Sequence, residues 1–197
     1  MKHVRLTISV LLIVSICLGI VGCTDKQRIS RISVDKFNDA LIDFMDVDSD
    51  DISESDNKDK RELSYTPSES FVMVITEYNQ DFFEELEALG FRTTNMYEVF
   101  PDLIRSNYTI IEDGLPFSGE EVEVETITHR FEEDYGYIVF ITSDEDYLNY
   151  AAPNLEGINR MLYAGYYVDS VMIEIHATDG DIDKALEFIE HLDLPSL

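Results

Sequence analysis

Cysteine is all but missing from this chain: two residues among 197, Cys17 and Cys23, both near the N-terminus. No thiol follows residue 23, so the long remainder can form no disulfide, no thiolate metal site and no cysteine nucleophile. Positive charge is scarce as well. Fourteen Lys and Arg face 41 Asp and Glu, a formal net charge of −27. A surface of that sign repels phosphate backbones, which argues against a nucleic-acid partner. Catalytic signatures are also missing. There is no Gly-x-Ser-x-Gly elbow, no HExxH or HxH spacing for zinc, and no phosphate-cradling glycine loop. Carboxylate pairs occur throughout so acidic a chain and therefore point to no particular general acid or base. These absences lead to the expectation of a protein that is not an enzyme and holds no cofactor or metal.

What the chain does have is an informative start. Lys2, His3 and Arg5 precede Leu6–Val21, a run of 16 uncharged residues. A bilayer-spanning helix needs about 20, so the run suits the apolar core of a cleaved signal peptide better than a permanent span. It ends in Ile20-Val21-Gly22-Cys23, an aliphatic residue, a tolerated one, a small one and a cysteine. This tetrad resembles the lipobox of bacterial lipoproteins. The resemblance implies that the Cys23 thiol receives a diacylglyceryl group, that signal peptidase II cuts before it, and that the new amino group is then open to acylation. Two or more acyl chains make a stable anchor where one gives marginal residence. The expected location is the extracytoplasmic face of the cell membrane. Thr24 follows the cysteine, so the aspartate that retains Gram-negative lipoproteins at the inner membrane is not in its place.

On this reading residues 1–22 are the signal peptide and 23–30 the lipidated cysteine with a short polar tether. Residues 31–197 then form one domain. Losing Lys2 and Arg5 leaves 12 basic against 41 acidic residues, a net −29, so the domain itself has little attraction to anionic lipid. The functional expectation is a non-enzymatic lipoprotein that binds a protein or cell-envelope component. The alternative is a cation- or solute-binding module.

Periodicity places the elements. Ser33 is a candidate N-cap for a helix to about Met45, with Val34, Phe37, Ala40, Leu41, Phe44 and Met45 on one face. Residues 46–61 are acidic and poor in apolar side chains, and predict a mobile loop. Three strand-then-helix units follow. They are Phe71–Thr76 with Asn79–Gly90 (Phe82, Phe83, Leu86 and Leu89 on one face), Tyr137–Thr142 with a helix from about Asp144, and Val171–Ala177 with a helix carrying Ile182, Ala185, Leu186 and Ile189. Ser143 and Asp146 resemble a capping box for the middle helix, which is expected to break at Pro153 and resume through Leu155, Ile158 and Leu162. Glu121–Phe131 pairs with Tyr137–Thr142 as a hairpin, and a phase change between Val124 and Ile127 suggests a bulge or edge position. Tyr166–Val168 and Val171–Ala177 suggest a tighter hairpin around Asp169-Ser170. Residues 91–119 are the least readable. The fold class expected is α+β, a largely antiparallel sheet with helices packed on one face, and a ferredoxin-like topology is one arrangement that fits.

Three further groups invite a functional reading. Asp46-x-Asp48-x-Asp50 matches the start of an EF-hand or dockerin calcium loop. It departs at Asp51 where the turn needs glycine, at Ser53, and at Asn57 where a bidentate carboxylate belongs. Glu174 and His176 share one strand face, which two metal ligands could use but which a polar outer face explains more cheaply. Tyr147, Tyr150, Tyr163, Tyr166 and Tyr167 cluster either as core-edge residues or as an exposed face for a peptide or glycan.

Overall fold

A computed structural model describes residues 32–89, 114–117, 120–132, 135–152 and 154–197. Ser33 caps the first helix, α1 (Val34–Met45), its Oγ accepting from the Lys36 amide at 3.3 Å. A 3-10 turn (Ser49–Asp51) then leads into β1 (Ile52–Asp56), β2 (Lys60–Ser68) and β3 (Phe71–Tyr78). After α2 (Gln80–Ala88), capped by Asn79, come β4 (Gly114–Phe117) and β5 (Glu120–Glu123), which among the described residues pair with each other and not with the main sheet. The chain continues through β6 (Thr126–Phe131), β7 (Tyr135–Thr142), α3 (Glu145–Ala151), β8 (Met161–Val168), β9 (Val171–Thr178) and α4 (Ile182–His191).

Seven strands make one sheet in the order β1-β2-β3-β9-β8-β7-β6, and every neighbouring pair is antiparallel. The expected α+β class with an antiparallel sheet is therefore what the chain adopts. The strand order is that of two meanders joined where β3 meets β9, and differs from the split βαβ arrangement of a ferredoxin-like unit. The connection from β7 to β8 holds the short helix α3. β8 returns beside β7 in the opposite direction.

Strand alternation divides the apolar residues between two faces. On the first, Leu63, Met73, Ile75, Ile173, Ile175, Ala164 and Val139 lie under α1 and α4, with Phe37 meeting Phe188 edge-on at 5.5 Å. On the second, Ile138, Phe140, Met161, Tyr163 and Tyr167 pack with Phe83 of α2 and with Tyr147 and Leu148 of α3. The two longer helices thus share one face, and the shorter pair covers part of the reverse. β7 and β8 are buried on both sides, so neither face can be left to water.

Several local expectations need correction. Residues 46–61 are not a loop throughout: they hold the 3-10 turn and β1, whose ladder with β2 runs from Ile52↔Tyr65 to Asp56↔Arg61. The middle helix is capped by Asp144, not by a Ser143–Asp146 box, the Asp144 Oδ1 accepting from the Tyr147 amide at 2.9 Å. It also does not resume, because Leu162 lies in β8. The bulge has a counterpart: Thr126 pairs with Ile141, yet the Glu125 amide also reaches the Ile141 carbonyl at 2.8 Å. Two residues oppose one there. The leader, the tether and Cys23 lie outside the described residues, as do residues 91–119 apart from 114–117.

The acidic composition also shapes turns. Asp46, Asp169, Asp179 and Asp193 all adopt positive φ, the conformation glycine usually fills and aspartate tolerates better than most side chains. Asp193 ends α4 in this way. Its amide reaches the Glu190 carbonyl at 2.9 Å, the next amide reaches Ile189 at 3.1 Å, and Leu194 is buried beside them.

Candidate functional site

The second face carries a strip of polar side chains where it crosses β2, β3, β9 and β8. Register dictates the grouping. Glu62 pairs with Thr76, Thr76 with Met172, Val74 with Glu174, and Tyr163 with His176. Lys60 Nζ donates to Glu62, and Thr76 Oγ1 lies 3.4 Å from the same carboxylate oxygen. Tyr163 OH donates to Glu174 Oε1 at 3.2 Å, and its ring meets the His176 imidazole edge-on at 4.9 Å. Gly165, opposite Glu174, adds no side chain on that flank.

Burial sets the protonation of this strip. It holds the His176 imidazole neutral, its pKa lowered from 6.5 to about 4. It raises the Glu174 carboxyl above the ordinary carboxylate range, and the nearby Glu62 charge adds to the effect. Tyr78, at the end of β3, is pushed up to about 12 by burial and then by Glu174 and Glu62. The strip can offer hydrogen bonds and exchange a proton at Glu174. Glu174 and His176 were paired by their two-residue spacing alone. Tyr163, Thr76, Glu62 and Lys60 come from three other strands, and only the register shows them beside that pair.

A pH dependence of stability follows, with two opposed contributions. The unfolded chain protonates His176 near 6.5 and the folded chain only near 4, so the unfolded state holds the extra proton in between. That contribution to stability is full above 6.5 and is lost as pH falls toward 4. Glu174 works the other way. Its stabilising contribution is complete below the ordinary value of 4.5 and fades as pH rises through the raised folded value. Urea unfolding at pH 7 and pH 5 separates them. His176→Leu should reduce the stability lost between those pH values by about 2 kcal/mol, and Glu174→Gln should enlarge the loss. Identical losses in both variants and the unchanged chain would exclude this assignment.

The other residues singled out from sequence do not converge. Asp46 is the left-handed C-cap of α1, Asp48 precedes the 3-10 turn without a side-chain capping bond, and Asp50 lies within that turn. The later loop positions Ile52 and Glu54 run out along β1, while Asn57 Oδ1 is spent accepting from the Asp59 and Lys60 amides at 2.9 and 3.1 Å. Among the described residues, no group of three or more His, Cys, Asp or Glu is placed to hold one metal ion. His129 is exposed on β6, and His191 ends α4 with its ring 5.2 Å from Phe44. Tyr147, Tyr163, Tyr166 and Tyr167 are buried, which answers the choice between core and exposed face for those four. Tyr166 OH donates to the Pro195 carbonyl at 2.7 Å and pins the C-terminal tail across the first face. A shallow recess of about 250 Å³ lies between Lys58 and the outer side of α2, lined by Asp81, Glu84, Glu85 and Ala88. The Lys58 ammonium is already held there by Glu85 and Asp59.

No protein-family profile matches the chain, and neither a curated protein nor a solved structure matches it. Among the described residues, no helix is long and apolar enough to cross a membrane.

Proposed function

We propose that this protein is a non-enzymatic lipoprotein, anchored by lipid on Cys23 to the extracytoplasmic face of the cell membrane. There its acidic domain binds a protein or cell-envelope component. The observation that carries the proposal is the tetrad Ile20-Val21-Gly22-Cys23 at the end of a basic-then-apolar leader. Nine residues lie between Cys23 and the helix cap Ser33, at most about 35 Å of chain from one to the other, so the domain would work close to the bilayer. A net charge of −29 past the leader leaves attachment to the lipid rather than to the protein surface.

Cell fractionation with fatty-acid labelling tests this. The unchanged chain should be found in membranes carrying label, and Cys23→Ser should lose the label and either appear in the soluble fraction or accumulate as unprocessed precursor. A processed Cys23→Ser chain that stays with the membrane would overturn the anchor. The binding role is tested by capture from the native surface fraction with the anchored chain, and background recovery alone would count against it.

A further inference from the structure

We infer that Arg61 is a latch coupling α1 to the edge strand β1, so that β1 stays paired with β2 only while α1 is seated. The parts come from three elements. Arg61 lies near the start of β2, on the face of the sheet that α1 covers. Its Nε donates to Glu54 of β1 at 2.7 Å, and its Nη1 donates to Asp35, in the first turn of α1, at 2.9 Å. Asp56 stands directly opposite Arg61 in the ladder, which makes Glu54 its diagonal neighbour on the same face. One planar guanidinium thus holds a carboxylate from each of two elements.

Neither element is strongly held without it. Four of the five β1 residues are exposed, and among the described residues β1 has one ladder, to β2. The Asn57 amide donates to the Lys60 carbonyl at 3.0 Å, so on alternation Ser55 and Ser53 exchange backbone bonds with Glu62 and Ser64. Those few bonds, within reach of water, put β1 at the low end of local stability. α1 buries Val34, Phe37, Leu41 and Met45, but its charges oppose it at one end. Asp43 and the C-cap Asp46 sit at the negative end of the helix dipole, and the last turn holds no basic residue. Asp35 is better placed in the first turn, and there it meets Arg61.

Magnitude decides what such a latch can do. Exposed ion pairs contribute little to a whole domain, and salt screens them. They count where two states lie close together, as they do for an edge strand with only Ile52 partly buried. With Asp35 gone the guanidinium is free to swing into solvent, and Glu54 loses an oriented partner. Release of β1 would bare the backbone groups of Glu62 and Ser64, a template for strand addition. The seating of α1 thereby governs whether the sheet ends in β1 or in β2.

Hydrogen exchange of the full chain, read by mass spectrometry on peptides covering β1, β3 and β9, tests the coupling. Asp35→Ala cuts the α1 side of the latch and leaves Arg61 and Glu54 in place. Exchange in β1 should rise about fivefold, with β3 and β9 unchanged. Asp39→Ala, also exposed on α1, removes the same charge and should leave β1 as it was. Arg61→Gln should raise β1 exchange at least as far as Asp35→Ala does. At about 1 M salt the Debye length falls to about 3 Å, and the unchanged chain should then approach the Arg61→Gln variant. A β1 rate unmoved by Asp35→Ala, or moved equally by Asp39→Ala, would overturn the inference. So would equal acceleration in β3 and β9, because β1 would then be following the whole fold.

Discussion

Phe188→Ala should destabilise the domain by about 4 kcal/mol, enough to lower its melting temperature by roughly 8–16 °C. The Phe188 side chain is fully buried on the first face of the sheet. Its ring meets Phe37 edge-on at 5.5 Å and lies 5.7 Å from Phe44, both on α1. Truncation removes the transfer energy of a phenyl group and leaves a cavity between two helices that pack against a stiff sheet. The site has little freedom to collapse. Because the lost contacts span α1 and α4, loosening should show as proteolytic cleavage within α1 before the sheet opens. Denaturant unfolding of the variant beside the unchanged chain measures the effect, and a loss under 1 kcal/mol would mean that the two helices do not share this core.

Gly136→Ala should cost about 3 kcal/mol through overpacking. Gly136 pairs with Tyr167 across the β7–β8 ladder, and a Cβ placed on it would lie 2.3 Å from Tyr167 Cε1 and 2.7 Å from the hydroxyl oxygen. The ring cannot simply swing away. Tyr167 is 1% exposed, and its hydroxyl donates to the Glu132 carbonyl at the β6–β7 turn. Glycine is needed here because a neighbouring side chain occupies the space over the strand. The matching test is a double substitution. Tyr167→Leu should damage the unchanged chain, yet recover part of the loss in Gly136→Ala, since the clash then has no ring to meet. Strictly additive losses would place the strain elsewhere.

Signals carried by adjacent residues were the ones that sequence conveyed well. Ser33 caps its helix where expected, and Asp169-Ser170 turns the β8–β9 hairpin, with Asp169 at φ 55°. Failures occurred where stability comes from partners far along the chain. Four of the five β1 residues are exposed and nothing in them suggests a strand. They are held by the ladder to β2 and by Arg61, whose Nε bonds Glu54 at 2.7 Å while its Nη1 bonds Asp35 at 2.9 Å. β8 failed for the opposite reason. All eight of its residues are buried, so no two-residue alternation survives, and Leu155, Ile158 and Leu162 fall by chance at helical spacing. The polar strip shows the same limit. Glu174 and His176 are neighbours on one strand, whereas Tyr163 and Glu62 reach them only through the pairing order of the sheet.

The order in which the chain meets its sheet fixes how the domain yields to force. A pull at the N-terminus reaches α1 first, and after it β1, which among the described residues is held by one ladder. Such a strand unzips, its bonds opening one after another instead of sharing the load in shear. β3, β9 and β8 are bonded on both sides and lie in the middle of the sheet. Drag on the domain would therefore be absorbed by lifting α1 and peeling β1, both of which can re-form, before the central strands begin to bear it.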